Sequence, residues 1–251
     1  MLKVNSVSKI IKDKKILNGI SFSLNFGQIC GLLGPNGAGK TTSFYIIAGL
    51  AKSDSGQIEF IDQDITNMPM HKRSNLGIKY LPQEPSIFQN LTVYENLFGL
   101  AELTFKNNND IKTSVEKLID EFDLIEIRDL KGRQLSGGQR RKVEIARTLV
   151  SNPKMILLDE PFAGIDPIAI EEIKKVLNTL KNKGIGILIT DHNVRETLEI
   201  CDHAAIINNG EIIAHGTKEN LISNQVVKDV YLGNMYNLSL IHISEPTRRE
   251  G

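Results

Sequence analysis

Residues 34–42 read "GPNGAGKTT", a G-x-x-x-x-G-K-T run directly behind the apolar stretch "QICGLL". Gly34, Gly37 and Gly39 let a backbone close around an anion, and a helix starting behind them adds oriented N–H groups and partial positive charge. The chemistry this suits is polyphosphate binding. Pro35, Asn36 and Ala38 complete the loop, Lys40 would reach the β- and γ-phosphates of a bound nucleotide, the Thr41 hydroxyl would ligate Mg²⁺, and Thr42 would lie near the α-phosphate. Hydrolysis needs a second metal anchor and a group that activates water. "MILLDEP", residues 155–161, supplies both at the end of an apolar strand: Asp159 to hold Mg²⁺ through water and Glu160 as general base.

A second glycine-bearing turn is harder to place. In "LSGGQRRKVEIAR", residues 135–147, Ser136, Gly137 and Gly138 stand in front of a cation-rich segment of helical period. Ser136 reads as a helix N-cap, and the same helix start makes another anion-binding N-terminus.

The elements that must carry these residues alternate. "KVNSVSKI" and "GISFSL" read as strands about a turn at Lys12 to Lys15, "QICGLLG" as a buried strand, and Lys40 to Leu50 as a helix. "GQIEFID" and "LGIKYL" are further strands. Residues 84–150 turn mainly helical, with "VYENLFGLAEL" and "DIKTSVEKLIDEFDL" split by the polar "KNNND", so the region reads as a helical insertion. Buried-strand patterns return at "MILLDE", "GIGILITD" and "AAIIN", and the helix between the first two has an apolar stripe of Ile170, Ile173, Leu177 and Leu180. The fold class is α/β with a mainly parallel sheet.

Composition narrows the function. Lys plus Arg and Asp plus Glu are 30 each, so no net positive field holds a polyanion by counterion release, and nucleic acid is excluded as a first expectation. No apolar run approaches the ~20 residues that span a bilayer, and the N-terminus lacks a signal-peptide core, so membrane contact is expected only through partners. Cys30 and Cys201 have no CxxC companion and read as small buried hydrophobes in a reducing compartment.

"GPNGAGKTT", "LSGGQ", "ILLDEP", "AGID" and "ITDH" follow one another in the order and spacing of an ABC-type ATP-binding cassette, and the resemblance covers residues 1–238. It implies a P-loop NTPase core with an antiparallel β subdomain and an inserted α-helical subdomain at about 84–150. It also implies that Ser136, Gly137, Gly138 and Gln139 close over the γ-phosphate held by a second copy of the chain, giving a homodimer across two ATP sites. On the same basis Gln83 contacts the metal or the attacking water, His192 bonds the γ-phosphate and helps orient Glu160, and Asp166 faces the opposing subunit. His71, His203 and His215 have no such context and are left structural. One departure is Ile11, which matches the position where cassettes commonly stack adenine on an aromatic ring; it offers apolar contact without a π-face and implies weaker, less selective base binding.

"GLLGPNGAGKTTSFYIIAGL", "GIKYLPQEPSIFQNLTVYENL", "LLDEPFAGIDPIAIEEIKKV" and "ILITDHNVRETLEICDHAAIINNGEIIAHGT" closely resemble the cassettes of lipopolysaccharide export systems. That resemblance implies peripheral attachment to the cytoplasmic face of the inner membrane through a pair of permease subunits. Ser86, Ile87 and Phe88 would lie where a permease coupling helix docks. Phe88 stands open between two roles, an anchor for that helix and a core aromatic of the insertion. Branched-chain amino-acid importer cassettes are the next most similar class, and soluble cassettes of repair or ribosomal function fit the length poorly. "SLIHISEPTRREG", residues 239–251, departs from the family and reads as a disordered, non-native tail without function.

Overall fold

The computed structural model describes residues 1–232, so the expectations for the tail at 239–251 and for a cassette boundary at Leu238 lie outside the described residues. β1 (Leu2–Ile11) and β2 (Lys14–Leu24) form a hairpin whose turn residues Lys12 and Asp13 are both left-handed, at φ 48° and 64°. A turn of that hand matches the twist of its strands, which is why β2 starts earlier than the expected Gly19. β4 (Ser55–Phe60) pairs with the other side of β1, and β5 (Gln63–Asp64) with β4. The result is the expected antiparallel sheet, in the order β2-β1-β4-β5.

The second sheet contains β3 (Ile29–Leu33), β6 (Ile78–Leu81), β7 (Met155–Asp159), β8 (Gly186–Thr190), β9 (His203–Asn208) and β10 (Glu211–Gly216), in the order β10-β9-β3-β8-β7-β6. From β9 to β6 it is parallel; β10 runs antiparallel at one edge. Every residue of β3, β7 and β8 is buried. Helices cover both faces of such strands, so they read as continuous apolar runs rather than alternations.

α1 (Lys40–Ala48) lies between the sheets. Its Phe44, Ile46 and Ile47 share one core with Leu2, Leu24 and Ile58 on one side and Leu32 and Leu157 on the other. Left-handed Gly49, φ 82°, ends it short of the expected Leu50. α2 (Met70–Leu76) was not legible in the sequence, and it brings Arg73 beneath the end of α1. That guanidinium, 1% exposed, donates to the carbonyls of Ile46 and Ile47 at 2.7 Å, Met68 at 2.7 Å and Thr66 at 2.9 Å. Burial lowers its pKa to about 10, and its charge complements the negative end of the helix dipole.

The insertion is helical as expected. α3 (Val93–Thr104) opens on a capping box between Thr92 and Glu95, and α4 (Asn108–Glu121) and α5 (Gly137–Leu149) follow. Leu97, Val115, Ile119, Val143 and Ile145 join a core with Ile156, Leu158 and Ile187, which fixes the insertion to the parallel sheet. α6 (Pro167–Asn182) buries Ile170, Ile173, Leu177 and Leu180, the expected stripe. α7 (Val194–Ile200) and α8 (Lys218–Ser223) follow, and a short α9 (Gln225–Val227) with a π-helical turn (Lys228–Leu232) closes the described chain. Cys30 and Cys201 are free thiols, and burial pushes Cys30 up to about 12, in keeping with an inert core hydrophobe.

Candidate nucleotide site

β3 delivers the chain into the glycine loop, and two of its glycines are needed on steric grounds alone. A Cβ at Gly34 would lie 2.0 Å from the Ile207 carbonyl oxygen. At Gly39, φ is 111° and a Cβ would lie 2.6 Å from Leu17 Cδ2. α1 then starts from Gly39 with no side-chain cap and no acidic residue in its first turn, so its leading N–H groups and its positive dipole end are left for another partner. Ala38 is buried, Pro35 half-buried, Asn36 and Thr41 exposed, and Thr42 half-buried at the loop's rim. Lys40 is buried, and its Nζ donates to the Gly34 and Pro35 carbonyls at 2.7 and 3.0 Å, which leaves a third proton. Burial lowers its pKa, while Glu160, Asp159 and Asp191 act in the other direction.

Three elements converge on those carboxylates. β7 ends at Asp159, 5% exposed, whose Oδ2 accepts from the Tyr80 hydroxyl at 3.1 Å. Burial raises the Asp159 pKa against that hydrogen bond. The next residue, Glu160, holds a left-handed backbone at φ 46°, a conformation that costs a non-glycine residue on the order of 1–2 kcal/mol. Its N–H donates to the Thr190 carbonyl of β8 at 2.7 Å, which secures the turn and directs the carboxylate out of the strand line. Glu160 Oε2 accepts from Gln83 Nε2 at 2.8 Å and lies 3.4 Å from His192 Nδ1. Gln83, Glu160 and His192, chosen from three distant segments, therefore meet at one carboxylate oxygen.

Sequence reasoning passed over three supporting residues. Asp191, fully buried, accepts from the N–H groups of Phe162 at 3.0 Å and Asn193 at 2.8 Å and lies 3.6 Å from His192 Nδ1. It ties the loop after Glu160 to the start of α7, and burial raises its pKa. Arg141, buried in α5, donates to the Asp159 carbonyl at 3.0 Å and the Pro82 carbonyl at 2.9 Å. It looked like one more surface cation of a basic helix. Tyr80 is held edge-on to Tyr45 of α1, with ring centroids 6.2 Å apart at 88°. Burial and the Asp159 carboxylate push its phenol pKa far up, so it stays a donor.

The Ser136 segment and Asp166 form a separate group. Ser136 and Gln139 close a reciprocal capping box at the start of α5, and Asp166 caps α6 by accepting from Ala169 N–H at 3.0 Å. Gly137 approaches the Gly164 carbonyl in the turn before Asp166. Gly138, which an N-cap alone leaves unexplained, is required by packing: a Cβ there would lie 2.4 Å from Ala169 Cβ. Among the described residues no hydrogen bond joins this group to Lys40 or Glu160. Ile11 is 46% exposed at the tip of the hairpin whose Ile16 and Leu17 abut Gly39. Phe88 is 56% exposed, which removes the core-aromatic reading, and the Arg147 guanidinium lies 5.0 Å from its ring centre.

The profile of the ABC transporter family matches residues 17–163. The chain belongs to that family. The lipopolysaccharide export system ATP-binding protein LptB of Haemophilus influenzae is 50% identical over 239 residues, covering 95% of this chain and 99% of that protein. LptB of Escherichia coli K12 is 47% identical over 238 residues, covering 94% and 99%. Among solved structures, the ADP conformation of an ATP-binding cassette of an ABC transporter superposes with a TM-score of 0.83 at 35% identity, covering 93% of this chain and 98% of that one. The cassette fold expected from the sequence is thus the fold observed. Among the described residues no helix is long and apolar enough to cross a membrane.

Proposed function

We propose that the chain is the ATP-hydrolysing subunit of a lipopolysaccharide exporter, working as a homodimer that buries two ATP molecules between its copies. The export assignment rests on the LptB relatives, each spanned by this chain over 99% of its length. The hydrolytic assignment rests on one observation above all, the meeting of Gln83, His192 and Glu160 at a single carboxylate oxygen beside Lys40.

In this reading the residues 34–42 grip the triphosphate through backbone N–H groups, and Lys40 offers its third proton to the β- and γ-phosphates. The donor set is all oxygen, from Thr41, Gln83 and Asp159, and suits a hard divalent ion such as Mg²⁺. Held by those residues, the ion would supply charge neutralisation to the phosphate being transferred. Glu160 accepts a proton from the attacking water, Gln83 and His192 hold the carboxylate and the water in register, and the strained turn keeps the base aimed outward. Ser136, Gly137, Gly138 and Gln139 of the second copy complete the site, with Asp166 at the seam. Within one chain no hydrogen bond among the described residues joins that group to Lys40, which supports a contribution in trans.

Transmission to the membrane runs through the segment after Gln83. A groove of about 710 Å³ lined by Ser86, Leu100, Leu103 and Arg147 passes beside exposed Phe88, and we place the permease coupling helix there. The cassette would thereby sit on the cytoplasmic face of the inner membrane without entering it. Glu160→Gln tests the hydrolytic core: it keeps shape and hydrogen bonding but loses the base, so ATP should trap a stable dimer on size exclusion with turnover reduced about 10²-fold or more. A variant that turns over at the wild-type rate would remove Glu160 from the mechanism.

A further inference from the structure

Tyr80 stands outside the residues assigned above, yet its hydroxyl is, among the described residues, the one group donating to the Asp159 carboxylate, at 3.1 Å. An ionised carboxylate has about four acceptor sites, so a single donor fixes one oxygen and leaves the other for a ligand. The rest of Tyr80 is anchored in two directions. Its backbone belongs to β6, paired with β7 with Tyr80 opposite Leu157, and the chain leaves that strand toward Gln83. Its ring meets Tyr45 edge-on, 6.2 Å between centroids. Tyr45 lies four residues after Thr41 on α1, hence on the same helix face.

The tyrosine pair therefore spans the gap between the helix that carries Thr41 and the strand that carries Asp159. Arg141 fixes the Asp159 backbone carbonyl at 3.0 Å, which locates the main chain but leaves the side-chain torsions free. Among the described residues the phenol supplies the one hydrogen bond that acts on those torsions. We propose that Tyr80 is a positioning residue for the divalent cation: it locks the Asp159 carboxylate at the distance from Thr41 that the ion requires, with Tyr45 as its brace. The proposal rests on the reading of Asp159 as the cation's anchor. Outer-shell hydrogen bonds of this kind are worth about 10- to 100-fold in metal affinity, and an anchor that acts through water belongs at the lower end.

The test uses the full-length chain with Mn²⁺ as a paramagnetic probe, titrated in the presence of a non-hydrolysable ATP analogue. Tyr80→Phe, which keeps the ring and its contact with Tyr45, should raise the Mn²⁺ dissociation constant about tenfold. Binding of the analogue in EDTA, which reports the glycine loop and the fold, should change less than about twofold. Asp159→Asn should weaken Mn²⁺ binding by at least as much, and adding Tyr80→Phe to it should cost nothing further, because the phenol acts through that carboxylate. An unchanged Mn²⁺ affinity in Tyr80→Phe alongside a weakened Asp159→Asn overturns the positioning role alone. An unaffected Asp159→Asn overturns the anchor reading and the proposal with it. An equal loss from Tyr80→Phe in both backgrounds shows that the phenol acts elsewhere and also overturns it.

Discussion

Gly138→Ala sets two effects of opposite sign against each other. As a helix substitution in isolation, Gly to Ala is worth roughly 0.5–1 kcal/mol of stabilisation. In place, the new methyl would lie 2.4 Å from Ala169 Cβ, where two carbons rest at about 3.5–4.0 Å. α5 and α6 must therefore part by about 1 Å, and overpacking of that kind costs about 1–3 kcal/mol. The net expectation is a loss of about 0–2.5 kcal/mol, read as a lower urea midpoint at unchanged slope. If the Ser136 group completes the opposing site as proposed, function should suffer more, since a displacement of about 1 Å at a reaction site can cost about 10²-fold in turnover. Ala169→Gly in the same chain removes the opposing methyl and should restore most of both. A Gly138→Ala protein more stable than wild type, or a double variant no better than the sum of its parts, would refute the packing argument.

Arg73→Met should destabilise the chain by about 3 kcal/mol or more, because four carbonyls at the end of α1 and beyond lose a buried charged donor. Arg73→Lys should recover only part of that in urea titrations, since one ammonium cannot span the fork. Lys174, with its side chain 7% exposed, donates to Glu171, Glu196 and Glu199 and so joins α6 to α7. Despite burial, its carboxylate partners raise its pKa, and Lys174 in turn lowers that of Glu199. The raised lysine stabilises the fold below its ordinary 10.5 for as long as its glutamate partners stay ionised, and the lowered glutamate does so above its ordinary 4.5. Lys174→Met should therefore show its largest deficit between those limits, and the deficit should shrink as acid protonates the glutamates; a deficit independent of pH would count against the ion cluster. Ile11→Tyr should tighten ATP relative to a triphosphate without a base, by about 1–3 kcal/mol if the hairpin tip is the adenine platform. Equal nucleotide affinities in both proteins would reject that position.

What the sequence disclosed was local or periodic. The glycine loop is a contiguous string whose backbone demands are written into Gly34 and Gly39, and α6 shows its buried face as a repeat of Ile170, Ile173, Leu177 and Leu180. Glu160, Gln83 and His192 were legible because each sits in a short motif, although their meeting at one oxygen depends on pairing between β6, β7 and β8. The misses are residues whose partners lie far away in the chain. Arg73 resembles a surface cation until Ile46 and Ile47 are brought above it, and Arg141 resembles its neighbours Arg140 and Lys142 until Asp159 arrives. Gly138 shows the reverse error, a glycine in a motif whose necessity also comes from Ala169 on another helix. Burial of a charged or absent side chain is a tertiary fact, and no window along the sequence reports it.

The central claim, that each working site is built from two chains, is tested most directly by mixing inactive variants. Lys40→Ala removes the phosphate cradle's cation, and Ser136→Arg obstructs the opposing turn. Each homodimer should be inactive, but a mixed pair retains one site with the intact Lys40 loop of one copy and the intact Ser136 turn of the other. Co-expressed with distinct tags and isolated as the mixed pair, the two should recover ATPase activity up to about half that of wild type. Mixed pairs as inactive as both parents would mean that each chain completes its own site, and would contradict the account.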